Sequence, residues 1–311
     1  MYKLSRTDLP KLYAALAQEG RLLLPCADKN GKVDFAAYSE QAQVALDAPL
    51  TARSAKDAFF PQVEQLLTFT SSGKRLSIEQ QRPSEEQVIL LGVRACDARS
   101  FELLDMVFLQ DPVDTYYQTR RAHTLIIGLG CSEPEETCFC HAFGIDAAKP
   151  AADVQTWLTA DALYWQPVTE RGAALTEKLG AVLIETDDEY EVQEQQELTH
   201  KILGLLPLHD FKVNDKLPQK ELEVFRSSVW ERLSPSCLSC CTCTYICPTC
   251  HCYDIHDYQA TDSKTQRFRC WDSCMASDFT KMAHGNPRKT RLERFRQRYM
   301  HKLVYFPENN A

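Results

Sequence analysis

Residues 87–99 read Q-V-I-L-L-G-V-R-A-C-D-A-R. The first seven, Gln87–Val93, form a continuous apolar run of buried-strand length. A helical pattern follows, with Phe101, Leu104, Met106, Val107 and Phe108 available for its apolar face. His123–Leu129, H-T-L-I-I-G-L, is a second run of the same kind. A strand buried on both faces, then a helix, then another such strand is the pattern of an α/β layer fold.

The same alternation extends toward both ends of this region. Thr7 and Asp8 can cap a helix through Gln18 that Gly20 stops. Arg21–Pro25 reads as a short strand and Asn30-Gly31 as a hairpin-type turn. A polar helical stretch covers Asp187–Lys201. Asn214–Lys220, polar and containing Pro218, is a plausible boundary. The expected architecture is an α/β domain over residues 1–215 and an all-helical, ferredoxin-like domain over 216–311. Helices are expected at Glu221–Leu233, Arg269–Ala283 and Pro287–Leu303, the last with Asn286 as N-cap and Pro287 in its first turn.

Composition narrows the function. The chain has 311 residues, a net charge of −8 and 14 cysteines. No apolar run reaches the length of a membrane span, and the start, Met1–Asp8, has no signal-peptide core. A cytoplasmic protein without direct membrane insertion is expected. Thiols there stay reduced, and reduced clustered cysteines point to metal rather than disulfides. Residues 261–302 carry a local charge of +7, which leaves −15 for the remainder. An acidic chain with one short basic segment is not expected to bind nucleic acid. There are eleven glycines and no G-x-G-x-x-G, so no dinucleotide or flavin site of that type is expected.

Residues 237–248 read C-L-S-C-C-T-C-T-Y-I-C-P. They contain C-x2-C-x2-C-x3-C-P through Cys237, Cys240, Cys243 and Cys247. Two-residue gaps wrap the backbone around one corner of a cubane and aim three sulfurs inward. The fourth cysteine, set off by proline, commonly serves a second cluster. The competing reading is zinc, through Cys247, Cys250, Cys252 and His251 or His256, in an interaction or regulatory module without redox role. Zinc knuckles, however, separate two C-x2-C pairs by a dozen residues or more.

A second constellation lies upstream. Cys96 follows one predicted strand and Cys131 the other, with Cys138 and Cys140 just beyond. Both strands deliver cysteines to their carboxyl ends, where open α/β sheets bind ligands. Cys96, Cys131, Cys138 and Cys140 can therefore converge on one metal site. Cys26 reads as core. Cys274 falls on the apolar face of a helical pattern with Trp271, Met275 and Met282, as a core residue or a cluster ligand, and Cys250 is similar. Cys241, Cys252 and Cys270 read as spares, and His251, His256, His284 and His301 as structural. The basic stretch Arg288–Lys302 is either a solvated helix face or a surface that offsets cluster charge and docks a partner.

These words occur together in a known family. The chain resembles the iron–sulfur subunits typified by the A subunit of anaerobic sulfite reductase and the β subunit of sulfhydrogenase-type nickel–iron hydrogenases. The resemblance rests on F-F-P-Q-V-E-Q-L (Phe59–Leu66), G-V-R-A-C-D-A-R (Gly92–Arg99) and C-S-E-P-E-E-T-C-F-C (Cys131–Cys140). It continues with C-x2-C-x2-C-x3-C-P-T-C-H-C (Cys237–Cys252), W-D-S-C (Trp271–Cys274), N-P-R (Asn286–Arg288) and H-K-L-V-Y-F-P-E-N (His301–Asn309). It implies [4Fe–4S] clusters and electron relay between a flavoprotein NAD(P)H-oxidoreductase subunit and a separate catalytic subunit, with no catalytic site in this chain. It also implies a second four-cysteine motif after the last segment, whereas the sequence ends at Ala311. The expectation is that the natural product continues beyond that point, and that these 311 residues alone hold an incomplete C-terminal cluster.

Overall fold

Leu90 and Ile126 sit side by side in the middle of the sheet that organises the first part of the chain. The computed structural model describes residues 1–211 and 218–310. Its strands are β1 (Tyr2–Ser5), β2 (Arg21–Ala27), β3 (Val33–Ala37), β4 (Val63–Ser72), β5 (Arg75–Gln80), β6 (Val88–Val93) and β7 (Thr124–Leu129). They continue with β8 (Val154–Leu158), β9 (Ala162–Pro167), β10 (Ile184–Glu185), β11 (Tyr253–Thr261) and β12 (Lys264–Trp271). The longer helices are α1 (Leu9–Glu19), α2 (Ala95–Phe108), α3 (Thr115–Ala122), α4 (Glu170–Lys178) and α5 (Tyr190–Leu203). Short helices α6 (Glu221–Phe225), α7 (Val229–Leu233) and α8 (Thr242–Tyr245) precede α9 (Arg291–Met300).

The chain divides into two units. The first comprises residues 1–60 and 83–213, the second 61–82 and 214–311. The boundary expected near residue 215 lies outside the described residues.

In the first unit, eight strands run in the order β10-β1-β9-β8-β7-β6-β2-β3. The central pairs β2–β6, β6–β7 and β7–β8 are parallel, and the flanking pairs are antiparallel. The two apolar runs of the sequence are β6 and β7, and every residue of β7 is buried. Alternate residues face different layers. Ile89, Leu91, Leu125 and Ile127 join Leu12 and Leu16 of α1 and Leu175 of α4 in one apolar cluster. Leu90 and Ile126, between them, are buried as well. A separate aromatic group ties α2 to α3: Phe108 stacks on Tyr117 at 4.8 Å, and Phe59 meets Phe101 edge-on at 4.7 Å. Coverage of both faces explains why the strands are apolar without alternation.

The second unit departs from the sequence expectation. It is not all-helical: a four-stranded antiparallel sheet runs in the order β11-β12-β4-β5. The hairpin β11–β12 turns through two residues, Asp262 and Ser263. β12 then pairs with β4, a strand contributed from far upstream. All residues of β11 are exposed, so this hairpin shows no hydrophobic period. Cross-strand pairs support it instead. Arg267 donates twice to Asp257 at 2.7 Å and lies over the Phe69 ring, and His256 packs on Phe268. Glu64 of β4 and Arg269 of β12 form an ion pair, with both side chains almost wholly buried.

The helix expected at Arg269–Ala283 is therefore the end of β12 followed by irregular turns. The expected Glu221–Leu233 helix is split into α6 and α7. Asn286 is not an N-cap: its Oδ1 accepts from Thr280 Oγ1 and Arg288 N, and its Nδ2 donates to Ser277 O. The helix begins later, at Arg291, with a full capping box between Thr290 and Glu293.

Candidate metal centres

The end of β6 is shaped by Gly92, whose φ of +90° accompanies a bulge in the pairing with β7. A Cβ there would lie 3.0 Å from both Leu46 and Pro25. The chain then turns through Arg94 into α2, placing Cys96 in the first helical turn. At the neighbouring strand end, Gly130 passes so close to Ala148 O and the Trp157 ring that a Cβ would stand 2.7 Å from each. Cys131 follows, with its N–H donating to Ala147 O (2.9 Å) and its carbonyl accepting from buried Thr199 Oγ1 (2.6 Å).

Cys96, Cys131, Cys138 and Cys140 line one cleft together with Arg94. The Cys96 thiol hydrogen-bonds to Cys140, which raises the pKa of Cys96 and lowers that of Cys140. The Asp97 N–H, at the helix N-terminus, also donates to the Cys96 sulfur. Burial pushes Cys131 up to about 11 against the pull of Arg94, and raises Cys138. Arg94 braces the site. Its Nη1 donates to Gly130 O (3.0 Å) and its Nη2 to Leu46 O (3.1 Å) and Ala48 O (2.7 Å). Burial lowers its pKa, while Cys131 and Cys96 act to raise it.

In the second unit, Cys237 and Cys240 both lie within electrostatic reach of Cys243 around the loop entering α8. Ser239 and Cys241 both adopt positive φ, +57° and +62°. This left-handed backbone is costly for residues with a Cβ, and here it curls the loop around its sulfurs. The Ser239 N–H donates to Cys237 Sγ at 3.3 Å. The hydroxyl and N–H of Thr242 hold the exposed Cys240 thiol below its ordinary pKa. Burial raises Cys243, and Arg298 opposes that rise.

Cys247 leaves this group. It pairs with Cys250, which lowers its pKa to about 3 against the effect of burial, and Lys302 and Thr249 add to the fall. Cys250 is raised by the same pairing. Cys274 pairs with Cys252, raising Cys274 and lowering Cys252 to about 7. Cys274 also faces Cys250. Cys270 stands apart in β12, opposite Asp254 and Val63. Cys26 is buried on β2. His251 and His301 pack ring to ring at 5.7 Å. Among the described residues, no three His, Cys, Asp or Glu side chains are placed to hold a metal ion.

The basic stretch is tied to the cysteine loops. From α9 and the turn after it, Arg291 donates to Cys237 O, Arg298 to Cys243 O (2.7 Å) and Cys250 Sγ (3.2 Å), and Lys302 to Thr249 Oγ1 (2.6 Å). Burial pulls the Arg298 pKa down, but Cys250, Cys243 and Cys247 more than reverse this. Arg294 is buried and donates to Met275 O, Arg288 O and Lys289 O. Sequence reading missed Arg94 as a site residue and gave Cys252 a place only in the zinc alternative.

Residues 236–311 match the family described as 4Fe-4S dicluster domain. This is a [4Fe–4S] protein. The donor set fits that cofactor: thiols gathered on one loop, N–H and O–H donors aimed at sulfur, and cations beside them. The resemblance read from the motifs also holds. The chain is 28% identical over 316 positions to Sulfhydrogenase 2 subunit beta of Pyrococcus furiosus, covering 98% of this chain and 89% of that one. Among the described residues, no helix is long and apolar enough to cross a membrane.

Proposed function

We propose that this chain is a cytoplasmic electron-transfer subunit of a hydrogenase- or sulfite-reductase-type complex. It relays electrons between a flavoprotein NAD(P)H-oxidoreductase subunit and a catalytic subunit. The observation that carries this reading is the exposure of Cys240 and Cys243 on the curled loop. A redox centre held there lies at the surface, where a partner's centre can approach it. The relative's name makes it one subunit of a sulfhydrogenase, which supports a separate catalytic partner.

When bound, the cluster supplies one-electron exchange without proton chemistry of its own. The protein's part is electrostatic. Ser239 N–H and the Thr242 donors stabilise negative charge on sulfur, and Arg291 and Arg298 hold the loop from beneath. Such donors favour the reduced, more negative state. In this reading Cys237, Cys240 and Cys243 hold one cluster. Cys96, Cys131, Cys138 and Cys140 hold another at the strand ends of the first unit, with Arg94 as its cation.

The test is anaerobic purification of the chain followed by reduction. A brown protein with acid-labile sulfide and a paramagnetic reduced signal is expected, and Cys240→Ala should remove one component of that signal. A colourless, zinc-containing protein would refute the reading, as would an iron content and spectrum untouched by the substitution. Copurification with a flavoprotein and a catalytic subunit tests the relay.

A further inference from the structure

Among the described residues, the sheet of the second unit ends in two open edges, β5 and β11. Every residue of both strands is exposed. β5 reads R-L-S-I-E-Q over Arg75–Gln80, and its two apolar side chains, Leu76 and Ile78, are 63% and 60% exposed. A free strand edge carrying large aliphatic side chains is a template for another strand, and edges that must stay free are blocked by charge, proline or a bulge. β11 is blocked against itself. Its formally charged residues are Asp254 and Asp257, so no pairing of β11 with a second β11 brings opposite charges together. β5 carries one charge of each sign. Arg75 and Glu79 share one face with Ser77 between them, and Leu76 and Ile78 share the other.

The hairpin fixes which backbone groups of β5 are free. Gly73, at φ +60°, and Lys74 form the turn, and Ser72 pairs with Arg75. A two-residue turn closes on a hydrogen-bonded pair. Such pairs alternate with non-bonded ones along an antiparallel ladder. Ser72–Arg75, Thr70–Ser77 and Thr68–Glu79 are therefore the bonded pairs. The Gln81 N–H, donating to Leu66 O at 2.9 Å, continues the alternation. The N–H and C=O groups of Leu76 and Ile78 point the other way, off the sheet edge.

We propose that β5 is a contact between two copies of this chain, with the strands antiparallel across a two-fold axis at Ser77. Outward groups bond only to outward groups, so the axis can fall at Leu76, Ser77 or Ile78. With the axis at Leu76, Arg75 meets Ser77 of the second copy, and with the axis at Ile78 it meets Gln81. Only the axis at Ser77 sets Arg75 opposite Glu79, and it does so twice. The same register sets Leu76 opposite Ile78 twice, and each of those pairs exchanges two backbone hydrogen bonds. Phe69 stands opposite Ile78 on β4, so the apolar face continues inward from the contact. The pairing is isologous and closes on itself, which gives a dimer rather than a fibre. An edge of this length covers less than the roughly 1,000 Å² of a stable interface, so the dimer is weak and reversible. The contact is independent of what the cysteines hold.

The test is sedimentation velocity of the full chain, kept anaerobic, over a concentration series. It compares wild type, Arg75→Glu, Glu79→Arg, the variant carrying both substitutions, and an equal mixture of the two single variants. Either single substitution sets like charges opposite each other at both pairs and should weaken the dimer about tenfold or more. The double variant exchanges the charges and should return to within about threefold of wild type. The mixture should also recover, as a heterodimer, because each copy supplies the charge the other lacks. In wild type, where no variant has to fold, hydrogen exchange in a peptide spanning residues 75–80 should slow by about threefold or more as the protein is concentrated. A chain that stays monomeric throughout the series overturns the proposal, as do single variants that associate like wild type or a mixture that does not recover. Growth beyond two copies also overturns it, since that is the mark of β5 meeting a different edge head to tail. Exchange that slows only when another protein is added assigns the edge to that protein and overturns the self-contact.

Discussion

Replacing Arg94 by Met tests whether the upstream cysteines form one pre-organised site. Arg94 joins three chain segments: the end of β7 through Gly130 O, and the loop after β3 through Leu46 O and Ala48 O, at 2.7–3.1 Å. Hydrogen bonds from a charged donor contribute about 1.5–3 kcal/mol each. Their sum overstates the effect, because the substitution also frees the guanidinium from burial. A net loss of about 3 kcal/mol follows for a buried charge removed from three carbonyl partners. With a urea slope of about 2 kcal/mol per molar, the midpoint should fall by roughly 1–2 M. Trp157 and Trp165 are buried in the first unit and report its unfolding by fluorescence. Arg94→Met should also lose the iron that Cys96→Ala loses, and keep the Cys240-dependent signal. Arg94→Lys retains charge but not the fork, and should fall between. A midpoint shift below about 0.3 M with full iron would refute the bracing role.

Glu64→Gln leaves Arg269 charged in a nearly dry site. It should cost about 3–5 kcal/mol, read from Trp271 fluorescence in urea, whereas Glu64→Leu with Arg269→Met should recover most of it. Gly130→Ala places a methyl group 2.7 Å from Ala148 O and the Trp157 ring. It should displace Cys131, lower stability by about 1–3 kcal/mol and reduce iron at the upstream site, with the C-terminal signal intact.

The first unit was legible because its strands are covered on both faces. Val88–Val93 and Leu125–Leu129 are apolar throughout, and a short apolar run bounded by turns has few other readings. Asn30-Gly31 announced the β2–β3 hairpin, where Gly31 takes φ +79°. The second unit was misread where the signal is weakest. Tyr253–Thr261 is wholly exposed, and its strand state depends on pairing with β12, which in turn needs β4 from nearly two hundred residues upstream. No local period carries that information. The error had a direct consequence at the site. With Arg269–Ala283 taken as a helix, Cys274 falls on an apolar helix face and Cys252 has no neighbour. With the hairpin in place, the two are brought together by register.

The basic segment shows what its charge is set against. A run of seven excess positive charges suggests a docking face, and charge reversal at Arg294 and Arg298 would be the natural test of it. The geometry gives those residues other work. Arg294 is buried and tied to three carbonyls, so reversing it tests folding. Arg298 bridges the loop of Cys243 and the sulfur of Cys250, so reversing it tests the cysteine sites. Arg291, Arg294, Arg298 and Lys302 recur at helical spacing and fall on one face of α9 and its extension. That face grips backbone carbonyls and thiols from segments 237–250 and 275–289. Positive charge concentrated here is the counterpart of thiolate charge concentrated in the loops it holds. The chain's acidic remainder needs no such compensation.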